Sequence, residues 1–312
     1  TALAERLRAV SRGILYWGPT DAVCGDREAS DVLSRDVTRL AEALGWPVLC
    51  DATAAIRGKR RATSVQVGTA DLLARSEVFA KQMQPELILR FGGVPTSKPV
   101  ARWMSASPAI VIDPGEELRD AYHHTDTWVT ADPTALIPAL ADALSDSARD
   151  AGEWLGEWRS ADDVTRSTLA DVVASEAPWC GTIARQVAGA LPDGSLLHVA
   201  SSLPIRALDT FVPRLPADIT VTANRGVNGI DGTLSTALGQ ARGWNHGPVC
   251  VLLGDLAYQH DLGALACLKE SRVTAVVIDN GGGGIFDHLP ISEHSQVFER
   301  RCVYTQMQLT QA

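Results

Sequence analysis

The chain has 312 residues, 46% hydrophobic and 21% charged, a composition that excludes a disordered chain and is long enough for two domains with their own cores. Its formal net charge of −9 argues against a general nucleic-acid or anionic-membrane surface, so any anion site must be made locally. No apolar run approaches the roughly 18 residues of a membrane helix.

The N-terminal TALAERLRAV lacks the apolar core of a secretory signal, and it opens at Thr1 without an initiator Met, as a piece of a longer protein would. Six cysteines, Cys24, Cys50, Cys180, Cys250, Cys267 and Cys302, are scattered without CxxC or Cys/His ligand spacing. In a chain with a sufficient core this pattern fits reduced thiols in the cytoplasm better than a disulfide framework.

Short runs rich in Val, Ile and Leu alternate with longer segments of helical periodicity, the pattern of parallel α/β sheets. In the first half, strands are expected at ILYW (14–17), PVLC (47–50), ELILRF (86–91) and AIVID (109–113). Between them, DVLSRDVTRLAEALG and DLLARSEVFAKQM carry apolar residues at three and four spacing and read as helices. GKRR at 58–61 is the only dense basic run and reads as a solvated loop. From Thr134 to Glu176 no strand candidate occurs, and the segment, with EWLGEW at 153–158, is expected to be helical. The second half repeats the theme with SLLHVA (195–200), ITVTA (219–223), PVCVLLG (248–254) and VTAVVID (273–279). The fold class is therefore α/β, with two doubly wound parallel-sheet domains in series, 1–160 and 176–312.

Between the last two of these strands lies AYQHDLGALACLKESR, where Asp261 is expected to cap a helix that turns Leu262, Leu265, Ala266 and Leu268 to the sheet. Strand, helix, strand in this order is a right-handed unit whose two strands end on one edge, the edge where open α/β sheets bind ligands. Gly254-Asp255 ends the first strand and Asp279-Asn280 the second, so a carboxylate and an amide oxygen converge there. Hard oxygen donors of this kind suit Mg²⁺ or Ca²⁺, and Mg²⁺ commonly completes its octahedron with phosphate oxygens and water. The run Gly281-Gly282-Gly283-Gly284 is then either a slack turn or a place where backbone groups come close to a metal and phosphates with φ > 0; its neighbours favour the second. The run does not fit GxGxxG because position 286 is Phe, and GxxxxGK[ST], GxSxG and HExxH are all missing.

A second constellation is ANRGVNGIDGTLSTALGQA, 223–241, in which Gly226, Gly229 and Gly232 punctuate a loop that opens a helix. Gly232, Thr236 and Gly239 then form a small-residue stripe suited to close packing. Arg225, beside flexible glycines, can offer its guanidinium to a carboxylate bidentately. Likewise SSLPIR, 201–206, places Ser202 and Arg206 just beyond a strand end.

GDLAYQHDLGALACLKE followed by VVIDNGGGGIF resembles the thiamine-diphosphate binding motif. ASSLPIRALDTF, ANRGVNGIDGTLSTALG and GGGGIFDHLP, in that order, resemble the 2-succinyl-5-enolpyruvyl-6-hydroxy-3-cyclohexene-1-carboxylate synthase (MenD) family of menaquinone biosynthesis, and LRFGGVPTSKPVARW is similar to its central domain. The resemblance implies that Asp255, Asn280 and the carbonyl of Gly282 hold Mg²⁺ (or Mn²⁺) against the cofactor diphosphate, with Gly254, Gly283 and the N–H groups near Ala257 and Tyr258 around it. It implies further that Ile230 supports the bent cofactor and that Ser202, Arg206, Arg225 and Lys98 bind the carboxylates of 2-oxoglutarate and isochorismate. Ile285, Phe286 and Leu289 would form an apolar wall.

The family reaction is decarboxylation of 2-oxoglutarate and conjugate addition of the succinyl unit to isochorismate, at a site between subunits, so a homodimer or homotetramer is implied. Pro99 stands where some members carry a basic residue, and Asp279-Asn280 replaces an Asn-Asn pair. The pyrimidine-binding domain that supplies the activating glutamate is expected to be absent from this chain. VYTQMQLTQA is expected to end short of the elements that finish the second sheet, so the chain alone should not turn over. Two alternatives stay open: a thiamine-diphosphate decarboxylase or carboligase of the acetolactate synthase type, which needs fewer cations, and a non-catalytic cofactor-binding module.

Overall fold

All strand pairing is parallel in the computed structural model, which describes residues 2–19, 26–57, 64–115, 119–145, 152–174, 179–269, 271–296 and 298. GKRR at 58–61, Cys24, Cys302 and VYTQMQLTQA lie outside the described residues. The first sheet is built from β1 (Gly13–Trp17), β2 (Val48–Cys50), β3 (Gln66–Val67), β4 (Leu87–Phe91), β5 (Ala109–Asp113) and β6 (Thr125–Thr130), in the order β3-β2-β1-β4-β5-β6. The second has β7 (Leu196–Val199), β8 (Thr220–Thr222), β9 (Val249–Gly254) and β10 (Val273–Ile278), in the order β10-β9-β7-β8. Around the first sheet lie α1 (Ala2–Arg8), α2 (Arg27–Leu44), α3 (Ala70–Ala74), α4 (Glu77–Gln82), α5 (Lys98–Met104), α6 (Pro133–Leu144) and α7 (Glu153–Ala174). Around the second lie α8 (Cys180–Ala190), α9 (Leu203–Phe211), α10 (Thr233–Gly243), α11 (Asp255–His260) and α12 (Leu265–Leu268).

The period of two along each strand sorts side chains between the faces of a sheet. In β1, Leu15 and Trp17 enter one core and Ile14 and Tyr16 the other. In β9, Cys250 and Leu252 pack with α8 and α9, while Val251 and Leu253 pack with α10 and α11. Both sheets are thus covered on two sides, which is why their strands read as unbroken apolar runs.

All eight expected strands are present. The two missed are β3, only two residues long, and β6, whose TDTWVT is polar and half exposed at the sheet edge. The expected single helix over DLLARSEVFAKQM is two, because Ser76 accepts the Phe79 N–H at 3.3 Å and starts α4 afresh. Asp261 stands at the N-cap position of a 3₁₀ turn, Leu262–Ala264, that leads into α12, but its carboxylate makes no cap and instead takes the Ser235 N–H and hydroxyl, both at 2.7 Å. A first helix after β9 already begins at Asp255; of the four residues expected to face the sheet, Leu265 and Leu268 pack against its core, whereas Leu262 and Ala266 are exposed and Ala264 is buried in their stead. Nor does the stripe Gly232, Thr236, Gly239 pack closely. The buried face of α10 is Thr233, Leu234, Ala237 and Leu238, which the larger apolar residues claim.

The N-terminal half of α7 belongs to the first core. Trp158 meets Phe79, Trp103 and Trp154 with ring centroids 5.1, 5.5 and 6.0 Å apart, and Trp154 donates to the Gly13 carbonyl at 2.8 Å. Farther on, Asp162 accepts the N–H groups of Gly68 and Thr69, both at 2.9 Å.

The two sheets meet along α9. Arg57, 6% exposed, donates to the Asp209 carboxylate at 2.7 Å and to the carbonyls of Asp209, Val212 and Cys50 at 3.1, 2.9 and 3.2 Å. One guanidinium from the first domain therefore closes the C-terminal end of a helix in the second. Thr210 donates to Asp71 at 2.9 Å, and Gly68 lies so close to the Pro213 carbonyl that a Cβ would stand 2.2 Å from it.

Replacing Arg57 with Ala strands these acceptors, and a loss of about 3–5 kcal/mol in unfolding free energy is expected by chemical denaturation. Burial, with Asp51 and Asp71 nearby, pushes the Asp209 carboxyl up to about 7 against the pull of Arg57. The folded chain therefore holds this proton more tightly than the unfolded chain. The Asp209 contribution is complete below the unfolded pKa near 4 and falls away as pH rises to about 7. Melting temperatures of wild type and Asp209→Asn between pH 4 and 8 should show that component in wild type and not in the variant.

Candidate functional site

β7 lies between β8 and β9, so the chain leaves β7 and β9 toward opposite faces of the second sheet. Beyond the carboxyl ends of those strands opens a cleft of about 480 Å³, at the topological switch point where open sheets take ligands. Its walls come from three strand exits: Ser201 to Pro204 after β7, Gly254 to Ala257 with Gln259 and His260 after β9, and Asn280 with Gly283 to Phe286 after β10. Ile230, from the loop before α10, completes the lining.

Asp255 and Asn280 meet because β9 and β10 run in register, with Ile278 opposite Gly254. Asp255 is buried, and its carboxyl is raised by that burial and by Asp279 beside it, while the N–H groups of Leu256 and Gly282 act the other way. A buried carboxylate next to a second one is a place a divalent cation would stabilise. Among the described residues no group of three His, Cys, Asp or Glu gathers to hold a metal. The available oxygens are thus the Asp255 carboxylate with Asp279 beside it, one amide and backbone carbonyls, the sparse set that suits Mg²⁺ when phosphate and water fill the rest.

The glycine run has a conformational reason. Gly281, Gly282 and Gly283 have φ of 81, 83 and 70°, where L side chains are strained. Gly284 matters for space, since a Cβ there would stand 2.8 Å from the Asn280 amide nitrogen. Gly284–His288 then form a 3₁₀ turn that brings Ile285 and Phe286 to the cleft.

Of the residues expected at a site, Ser202, Ile230, Gly254, Asp255, Ala257, Asn280, Gly283, Ile285 and Phe286 line this cleft together. Gly282 adjoins it through Asp255. Tyr258 packs into the core beneath, and Leu289 is 38% exposed just past the 3₁₀ turn. Arg206, Arg225 and Lys98 are not in its lining. Arg206, on α9, donates to the Thr96 carbonyl of the first domain at 3.3 Å, and Lys98 is exposed at the start of α5 two residues on. Arg225 is half-buried with its Nε unpartnered, and burial lowers its pKa, Asp51 opposing and Arg206 adding to that shift. The cations thus gather at the seam between the domains.

Sequence reasoning missed Ser201, Leu203, Pro204, Leu256, Gln259, His260 and Gly284 in the lining. Gln259 and His260 could have been found from their place in the helix that Asp255 opens.

A family model described as the middle domain of thiamine pyrophosphate matches residues 25–199. The chain belongs to the thiamine pyrophosphate enzyme family. Within it, the chain is 35% identical over 304 residues to the 2-succinyl-5-enolpyruvyl-6-hydroxy-3-cyclohexene-1-carboxylate synthase of Geobacillus kaustophilus, covering 96% of this chain and 51% of that protein. It is 37% identical over 295 residues to the synthase of the same name from Myxococcus xanthus, covering 93% and 48%. With that of Rubrobacter xylanophilus it shares 37% over 301 residues, covering 95% and 50%. The chain spans about half the length of the curated relatives it matches.

A thiamine pyrophosphate enzyme with this loop should be sensitive to any Cβ at Gly282. Gly282→Val imposes strain of roughly 1–3 kcal/mol at φ 83°. Calorimetric titration with thiamine diphosphate in the presence of Mg²⁺ should show about a tenfold loss of affinity, each tenfold being near 1.4 kcal/mol. Far-UV circular dichroism should remain that of the wild type.

Proposed function

We propose that this chain is the part of a 2-succinyl-5-enolpyruvyl-6-hydroxy-3-cyclohexene-1-carboxylate synthase that holds the diphosphate of thiamine diphosphate and the carboxylates of the substrates. The enzyme would be a transferase of menaquinone biosynthesis that decarboxylates 2-oxoglutarate and adds the succinyl unit to isochorismate. The observation that carries this reading is the meeting of Asp255, Asn280, Ile230 and Ser202 in one cleft at the carboxyl edge of the second sheet. The similarity to synthases of that name over nearly the whole chain supports it.

Asp255, the Asn280 amide and the Gly282 carbonyl would hold Mg²⁺, with Mn²⁺ a workable substitute, against the diphosphate. The bound cofactor would supply a carbanion-stabilising thiazolium, and the protein orientation and charge. Ile230 would press on the cofactor from the side of α10. Ile285 and Phe286 would exclude water from the face where the succinyl unit forms, with Leu289 extending that wall. Arg206, Arg225, Lys98 and Ser202 would take the substrate carboxylates, because cations suit a reaction whose reactants and developing enolate are anionic.

The site would lie between two copies of the chain in a cytoplasmic homodimer or homotetramer. The units 1–160 and 176–312 would serve as the central and the diphosphate-binding domain. The activating glutamate would come from a pyrimidine-binding domain outside these residues.

Titrating this chain with thiamine diphosphate should show binding that requires Mg²⁺ and is lost in Asp255→Ala. With both substrates added, the 312-residue chain by itself should leave isochorismate unconsumed. Metal-independent binding, or acetolactate formed from pyruvate, would count against the assignment, and turnover by this chain alone would show the division of labour to be wrong.

A further inference from the structure

Asp51 stands directly after β2, at the carboxyl edge of the first sheet, and is 2% exposed. One of its oxygens accepts the Thr53 N–H at 3.1 Å and the Thr53 hydroxyl at 3.0 Å. The other accepts the Thr96 N–H at 2.8 Å and faces the Tyr16 hydroxyl at 3.5 Å. Its hydrogen-bond partners among the described residues are neutral, so a buried negative charge is held in place without a direct ion pair.

The backbone of Thr96 is held on both sides of its Cα. Its N–H points at Asp51, and its carbonyl receives the Arg206 guanidinium at 3.3 Å. The next residue, Ser97, caps α5 by accepting the Val100 N–H at 3.1 Å, and Lys98 follows as the first residue of that helix. We propose that Asp51 is the positioning residue for Arg206 among the substrate cations: by accepting the Thr96 N–H it fixes the Thr96 backbone, whose carbonyl receives the Arg206 guanidinium. This rests on the reading above that those cations receive dicarboxylate substrates.

Charge supports the geometry. Asp51 is the largest of the nearby charges opposing the loss of proton affinity that burial imposes on Arg225. An amide in its place cannot do the same. An asparagine side chain there would offer one acceptor where Asp51 uses two oxygens, and its NH₂ would face either the Thr53 or the Thr96 N–H, donor against donor.

The test is calorimetric titration of 2-oxoglutarate into the chain loaded with thiamine diphosphate and Mg²⁺, for wild type, Asp51→Asn, Arg206→Ala and the double variant. Asp51→Asn should weaken binding about tenfold, and the double variant should bind no worse than Arg206→Ala alone, because Asp51 acts through Arg206. Losses that multiply in the double variant would mark Asp51 as an independent structural brace and overturn the proposal, as would wild-type affinity in Asp51→Asn. Wild-type affinity in Arg206→Ala would remove the dicarboxylate reading itself, and this inference with it. Should Asp51→Asn fail to fold, Thr53→Val keeps the carboxylate and loosens it; a two- to threefold weakening supports the proposal and none overturns it.

Discussion

The buried guanidinium of Arg57 is the constraint from which much of the site geometry follows. Taking an arginine and a carboxylate out of water is costly, and the pair alone does not recover that loss. Here the guanidinium also serves the carbonyls of Asp209, Val212 and Cys50, so both terminal nitrogens are matched by fixed acceptors on the two domains, with Nε alone unpartnered. Such an arrangement tolerates one orientation of α9 against the first sheet. The other end of the same helix is the cleft wall at Ser202 to Pro204, so a bond at one terminus governs geometry at the other.

This explains why two domains with separate cores make one site. The first sheet has the order β3-β2-β1-β4-β5-β6, whose own switch point lies between β1 and β4. The loops leaving β2 and β4 carry Asp51 and Thr96, and α9 leans on Thr96 through Arg206 and on α3 through the bond from Thr210 to Asp71. Arg206, two residues beyond the cleft wall at Pro204, is therefore tied to the first domain. In the proposed function, phosphate, metal and carboxylate recognition would be spread over both sheets.

Much of this was legible in the sequence because buried parallel strands announce themselves as Val- and Leu-rich runs, and all eight such runs are strands. β6 escaped notice because an edge strand exposed on one side carries polar residues, and β3 because two residues leave no periodicity. The convergence of Asp255 and Asn280 was readable because strand ends in a right-handed crossover must share an edge. Asp261 misled because its carboxylate, placed like a cap before a helical turn, is drawn off to the Ser235 N–H and hydroxyl, a partner 26 residues away that local pattern cannot show. The seam was illegible for a different reason. Arg57 and Asp209 are 152 residues apart, and nothing local distinguishes a buried ion pair from two solvated charges.

Backbone strain reveals the same concentration of purpose at the cleft. Ser202 sits at φ 76° and ψ −138°, a region that normally belongs to glycine, and Asn228 at φ 60° flanks Ile230. With Gly232 and Gly281 to Gly283, left-handed residues border the cleft from three strand exits. A non-glycine residue in such a conformation costs roughly 1–3 kcal/mol and persists only when its surroundings over-determine it. For Ser202 those surroundings are identifiable: β7 ends rigidly at Val199, Ala200 is tied to Leu252 at 2.9 Å, and α9 is pinned at its far end by Arg57. The chain must turn between two fixed points within a few residues, and Ser202 absorbs the turn. A glycine would take that conformation more easily. A serine there keeps a hydroxyl on the cleft wall, which is a reason for the strain to be retained.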